Sequence, residues 1–198
     1  MPGCVLNVNL LKRARKLPVN IDKKILWPVV IILGTVILDQ LSKILVVSYL
    51  VDKNSVEVLG RFFMLTLVYN EGGALGTSFG SSNYYLISSL AILLFVIYYL
   101  YVNRCIIRIA YPLSFTAGGA IGNIIDRIRI GRVIDFIDVD FFNINILGYN
   151  LDRWWTFNVA DAAISCSIVF LIATLIFGPR PDDKAASRSD KHLPQVEP

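Results

Sequence analysis

Residues Gly118–Phe136 read GGAIGNIIDRIRIGRVIDF, and the way this stretch divides decides the fold. Its first half completes an apolar run of helical character, yet it carries Asn123, Asp126 and Arg127. Asn123 and Arg127 are four apart and share a helix face, with Asp126 beside them. Polar side chains at the end of a bilayer-length helix are costly unless they serve a site. Gly118, Gly119, Ala120 and Gly122 come just before and permit close helix approach. Capping and headgroup anchoring is the plainer alternative. From Ile128 onward the apolar residues stand among arginines and a glycine, which reads as strand or loop. The helix is therefore expected to end near Ile125, with Asp135 delivered just outside the membrane surface.

Composition supports a membrane setting. The chain has 198 residues, 55% hydrophobic and only 17% charged, with a mean hydropathy of +0.60. Soluble domains carry about 25% charged residues. The net charge of +4 clusters near presumed helix ends, which favours lipid headgroups over nucleic acid. Cys4, Cys105 and Cys166 are scattered and odd in number, so no disulfide framework or thiolate metal site is expected. The sole histidine, His192, lies in the polar tail, which argues against histidine catalysis and histidine metal ligation. No cofactor is implied.

Four apolar spans follow: Ile25–Val51, Tyr84–Val102, Ile106–Ile125 and Phe157–Phe177. The first is too long for a cleaved signal segment and has no small-residue cleavage site. It reads as a retained helix. The second holds no charge in 19 residues, close to the ~20 a crossing needs. The chain thus divides into a basic leader (1–24), a membrane domain (25–178) with an outer cap (52–83 and 126–156), and a polar, unstructured tail (179–198). Four spans put both termini on one side. Twelve lysines and arginines fall on that side and six on the other, so both termini are expected in the cytoplasm. Phe63, Leu65, Leu67 and Tyr69 alternate before a glycine-rich turn, which predicts a short strand.

Asp39 and Lys43 sit four apart on the first span, the spacing of a helical ion pair and also of a polar wall to a site. Ser42 and Lys43 point about 100° apart on a helix, which excludes a serine–lysine pair. Asn70 begins Asn-Glu-Gly, a turn signal by itself. Asn158 and Asp161 share a face at the start of the fourth span. Asp161 could merely complement the helix dipole, but its place inside an apolar run favours function. Two carboxylates in a dry site do not both ionise easily, so one can hold a proton while the other activates water. Asp126, Asp135, Asp138 and Asp140 all remain possible partners for Asp161 on spacing.

Taken as a set, DQLSK at 39–43, NEGGALG at 70–76, GGAIGNIIDR at 118–127, VIDF at 133–136 and FNVADAAI at 157–164 resemble lipoprotein signal peptidase (signal peptidase II). The resemblance covers Ile25 to about Phe177. It implies an all-α bacterial membrane protein with four transmembrane helices, a small extracytoplasmic β-cradle and a short, mobile periplasmic helix. It implies an aspartic endopeptidase of the cell membrane (the inner membrane in a Gram-negative cell), acting on diacylglyceryl-modified prolipoproteins just before the lipidated cysteine. The implied dyad is Asp135 and Asp161. Asn70, Asn123, Arg127 and Asn158 would line the substrate site, supported by Asp39, Lys43 and Gly72. Inhibition by globomycin-type compounds is also implied. Where the family usually reads N-x-G-A-A-F, this chain has Gly73 and Leu75. Two further readings are a proton-coupled transporter, with polar residues spread through the membrane depth, and a non-catalytic scaffold, indifferent to loss of either aspartate.

Overall fold

The computed structural model describes residues 23–73, 82–140, 144–146, 149–151 and 155–177. The polar tail, residues 74–76 of NEGGALG, and all of the basic leader except Lys23 and Lys24 lie outside the described residues. In chain order come α1 (Lys23–Leu50), β1 (Ser55–Leu59), β2 (Phe63–Asn70), α2 (Ser82–Asn103), α3 (Ile107–Ile130), β3 (Val133–Val139), β4 (Ile144–Ile146), β5 (Tyr149–Leu151) and α4 (Val159–Phe177). The protein is mostly helical. No short helix of the outer segments occurs among the described residues.

Helices α1, α2 and α4 are each long and apolar enough to cross a membrane. Most of their large apolar side chains point away from the protein, Leu33, Leu45, Leu94 and Leu175 among them. In a bilayer that is the favourable arrangement, because a helix satisfies its own backbone and presents side chains to lipid.

Helix α3 is built differently. It is not among the apolar candidates, and twelve of its 24 residues are buried. It packs against each of the other three helices, and Ala110, Leu113 and Ala117 form a core with Val96 and Leu100 of α2. A helix at the centre of a bundle meets side chains rather than lipid, so it can carry polar groups. Glycine makes the closeness possible. A β-carbon at Gly119 would come within 2.6 Å of the Ala160 carbonyl oxygen, and one at Gly122 within 2.4 Å of Asp39 Oδ2.

The expected end of this helix near Ile125 is corrected: α3 runs to Ile130, so Ile128 and Ile130 are helical. Arg127 and Arg129 occupy the last turn, where cations complement the carbonyl end of the helix. Gly131 stops it with φ 73°, a left-handed cap whose N–H donates to the Arg127 carbonyl at 3.0 Å. The arginines mark where the helix leaves its buried surroundings. They do not mark its end.

Beyond that cap the chain reverses into β3. Strands β1, β2 and β3 form an antiparallel sheet in that order, with Ser55 opposite Thr66, Val68 opposite Asp135 and Asn70 opposite Val133. The predicted strand Phe63–Tyr69 is β2, one residue longer. Strands β4 and β5 form a separate pair. Phe157, on the approach to α4, bonds both ways with Ile137: its N–H donates at 3.0 Å and its carbonyl accepts at 2.7 Å. This link brings the start of α4 against β3.

Candidate active site

The end of β2, the reversal from α3 into β3 and the start of α4 converge at one place. Asn158 is the residue before α4, and its side-chain oxygen accepts the Asp161 N–H at 2.9 Å. The Asp161 carboxylate in turn accepts the Asn158 N–H at 3.3 Å. This is a reciprocal capping box, with aspartate in the place more often held by glutamate. The N–H of Ala160, another orphan donor of this first turn, bonds Asp39 Oδ1 at 3.0 Å. Local helix-start chemistry thus orients Asp161 before any substrate is considered.

Asn158 also reaches across to the other acid. Its Nδ2 donates to Asp135 Oδ1 at 2.7 Å and to Asn123 Oδ1 at 3.0 Å. Asn123 Nδ2 donates to Asp161 Oδ1 at 2.8 Å. The second Asp135 oxygen accepts from Asn70 Nδ2 at 3.0 Å, across the β2–β3 pair. Asp135 and Asp161 are therefore joined through one asparagine, and each is held by a further amide. Burial pushes the Asp135 pKa up to about 7, and the neighbouring Asp161 charge pushes the same way. The Asn70 and Asn158 hydrogen bonds and the Lys43 charge oppose the rise.

Beneath the pair lies a second group of acids. Lys43 Nζ meets Asp39 Oδ2 at 2.8 Å, Asp126 Oδ2 at 2.7 Å and Asn123 Oδ1 at 2.9 Å, all buried. Asp126 Oδ2 also accepts the Ile134 N–H at 3.2 Å, fixing the backbone next to Asp135. Ser42 turns away, its hydroxyl donating to the Asp39 carbonyl at 2.8 Å. At the rim, Arg127 Nη2 donates to the Gly72 carbonyl at 2.8 Å, while the Gly72 N–H donates to Asn70 Oδ1 at 2.9 Å. That is an Asx turn, and the Arg127 guanidinium fastens it to α3.

All nine sequence-derived residues (Asp39, Lys43, Asn70, Gly72, Asn123, Arg127, Asp135, Asn158 and Asp161) thus meet in one connected network. The alternatives to Asp135 are engaged with other partners. Asp126 is committed to Lys43, and Asp138 accepts from Thr66 Oγ1 at 2.8 Å. Asp140 is at the far end of β3, where its N–H bonds the Phe62 carbonyl. One participant went unread in the sequence. Gln40 Nε2 donates to Asp126 Oδ1 at 3.0 Å and the Gly122 carbonyl at 3.1 Å. It stands inside the DQLSK block at 39–43, but no spacing in that block singles it out.

Residues 31–177 match the model of the family described as signal peptidase (SPase) II. The chain belongs to the signal peptidase II family. Among its relatives are proteins named lipoprotein signal peptidase. That of Chlorobium phaeobacteroides is 33% identical over 162 residues, covering 79% of this chain and 94% of that protein. That of Caldanaerobacter subterraneus is 35% identical over 149 residues, covering 75% and 95%. That of Clostridioides difficile is 32% identical over 149 residues, covering 75% and 94%. A solved bacterial membrane enzyme superposes with a TM-score of 0.60 at 27% identity, over 86% of this chain and 94% of the other. Membership of this family makes the protein a peptidase, and its apolar helices make it a multi-pass membrane protein.

Proposed function

We propose that Asp135 and Asp161 are the catalytic dyad of an aspartic endopeptidase that cuts diacylglyceryl-modified prolipoproteins just before the lipidated cysteine. The family supplies the reaction, removal of the signal peptide from a prolipoprotein. The observation that carries the residue assignment is the bridge: Asn158 bonds Asp135 at 2.7 Å and caps the turn that holds Asp161. Burial and the Asp161 charge raise the Asp135 pKa to about 7, which lets the pair share a proton near neutral pH. The ionised member takes a proton from water, whose oxygen attacks the scissile carbonyl carbon. The protonated member donates to the carbonyl oxygen. The proton gained from water then goes to the amine nitrogen as the C–N bond breaks, and the carbonyl re-forms by returning a hydroxyl proton to the first donor. Occupancy of the proton belongs to the pair, so neither role is fixed to one residue.

Around this chemistry, Asn70, Asn123, Arg127 and Asn158 hold the substrate backbone or its glyceryl group, with Asp39, Lys43 and Gly72 as support. Helix α3 is the fourth span. At 24 residues and 1.5 Å each it is about 36 Å long, enough to cross. The membrane domain is 25–178, between a cytoplasmic leader (1–24) and a cytoplasmic tail (179–198). The site faces outward beneath a cap formed by the segments that join α1 to α2 and α3 to α4, with the small sheet as a cradle. Reporter fusions at Lys16 and His192 should both read cytoplasmic, and one at Asn145 external; opposite termini would remove the four-span arrangement. Globomycin-type compounds should inhibit.

The direct test is cleavage of a precursor peptide by purified protein, with and without the diacylglyceryl group. Acyl burial contributes about 0.8 kcal/mol per methylene, enough to dominate peptide contacts. Turnover should require the lipid. Equal cleavage of both peptides would sink the lipid-dependent reading, and a chain that cut neither would sink the peptidase assignment. A transporter reading is disfavoured because the polar residues gather at one end of the bundle.

A further inference from the structure

Gln40 takes part in the network, yet the reaction as written gives it no task. It is half-buried on α1, and its side chain crosses to α3. Its Nε2 donates to Asp126 Oδ1 at 3.0 Å, to the Gly122 carbonyl at 3.1 Å and to Asp39 Oδ2 at 3.2 Å. Its Oε1 faces the other way, 3.5 Å from Arg129 Nη1. A carboxamide has its hydrogens on nitrogen and only lone pairs on oxygen. Turned over, it would set an oxygen against three acceptors and a nitrogen against a guanidinium. The surroundings thus select one orientation and one kind of side chain. Glutamate, equal in length, would bring an acceptor where a donor is needed. Methionine would bring neither.

Asp126 meets three partners with two oxygens. Oδ2 contacts Lys43 Nζ at 2.7 Å and accepts the Ile134 N–H at 3.2 Å, while Oδ1 accepts from Gln40. The terminal torsion of an aspartate is soft, so a carboxyl group held at one oxygen can still swing. Holding the second oxygen from another helix removes that freedom. The plane so fixed decides where the Ile134 N–H must lie, and Ile134 is the residue before Asp135. Gly122, one turn ahead of Asp126, supports the same grip by giving its carbonyl to Gln40. We propose that Gln40 is a positioning residue for the peptidase reaction. By fixing the Asp126 carboxyl group it sets the backbone at Ile134, and with it the place of the Asp135 carboxylate. The inference rests on the dyad reading above. Because Gln40 acts through Asp126 and the backbone, its loss should slow the chemical step and spare substrate binding.

The test compares Gln40→Met and Gln40→Glu with wild type, using the full chain in mixed detergent–lipid micelles and a lipid-modified precursor peptide. Gln40→Met should lower kcat by about 10- to 100-fold and leave KM within about twofold of wild type. Gln40→Glu should lose at least as much. In protein labelled with ¹⁵N-isoleucine, the Ile134 amide proton, assigned by its loss in Ile134→Val, should move upfield in both variants as its bond to Asp126 weakens. Unchanged kcat in both variants would overturn the proposal, and so would an Ile134 resonance that stayed in place. A raised KM with kcat unchanged would overturn it too, making Gln40 a substrate contact. Gln40→Asn keeps the carboxamide but falls one methylene short of Asp126, and it decides by the same readings should the other two fail to insert. Asp135→Asn, run alongside, separates this inference from the reading beneath it. Activity in that variant would sink the dyad, while the Ile134 resonance would still decide whether Gln40 holds the backbone there.

Discussion

Two pairs of acids lie side by side in this protein, Asp39, Asp126 and Asp135 buried and Asp161 half-buried, and they are treated in opposite ways. Asp39 and Asp126 share the Lys43 ammonium at 2.8 and 2.7 Å. Among the described residues, Asp135 and Asp161 receive only amide donors, from Asn70, Asn123 and Asn158 and from backbone. A cation within contact distance pairs with both carboxylates and fixes their positions. Amides position a carboxylate without committing its proton. The lower group therefore suits a foundation and the upper group proton transfer. Asn123 joins them, accepting from Lys43 and donating to Asp161.

The sharpest way to break this contrast is to neutralise single acids. Asp135→Asn and Asp161→Asn should each reduce turnover of the lipid-modified precursor by at least the ~10²–10⁴-fold of a lost acid–base step. The double variant should be scarcely worse than either single one, because the residues act as a unit. Asp138→Asn and Asp140→Asn should keep much of the activity. Turnover is measured with membrane insertion checked in parallel. Substantial activity in either dyad variant would erase the distinction between the two groups.

The lower group should fail in another currency. Lys43→Met leaves two buried carboxylates without their shared cation, and breaking a buried pair costs about 3–5 kcal/mol. Thermal unfolding in detergent should show the loss directly, and less folded enzyme should accumulate in membranes. A Lys43→Met protein as stable as wild type would show that the ammonium is not the foundation.

Much of this arrangement is legible in the residues, and the illegible part has a physical cause. Apolar runs announced α1, α2 and α4 because lipid rewards uninterrupted hydrophobicity. The i, i+4 spacing announced the Asp39–Lys43 contact, since helix geometry is local. The last turns of α3 were hidden, because Arg127 and Arg129 break the apolar period while the backbone continues to its cap at Gly131. The neighbour of Asp161 was equally hidden. Four aspartates compete on spacing, and what separates them is non-local: the β2–β3 register and the Phe157–Ile137 bonds. Gln40 escaped because its partner, Asp126, is 86 residues away.

The smallest expected effect sharpens the contrast through pH. Asp135 lies outside the helices, and its pKa is raised from 3.8 to about 7, chiefly by burial and then by Asp161. Its folded form thus binds a proton more tightly than its unfolded form. Between pH 3.8 and about 7 the native state holds more protons, so stability must fall as pH rises through that window. One group contributes a slope of at most about 1.4 kcal/mol per pH unit. Asp135→Asn removes that contribution, so unfolding followed between pH 5 and 8 should show a shallower decline than wild type. Cleavage by the wild type should also fall as pH climbs past 7, when the pair loses its remaining proton. A wild type whose stability rose with pH across this range would mean that Asp135 does not take up a proton on folding, and the contrast with the acids fixed by Lys43 would lose its chemical meaning.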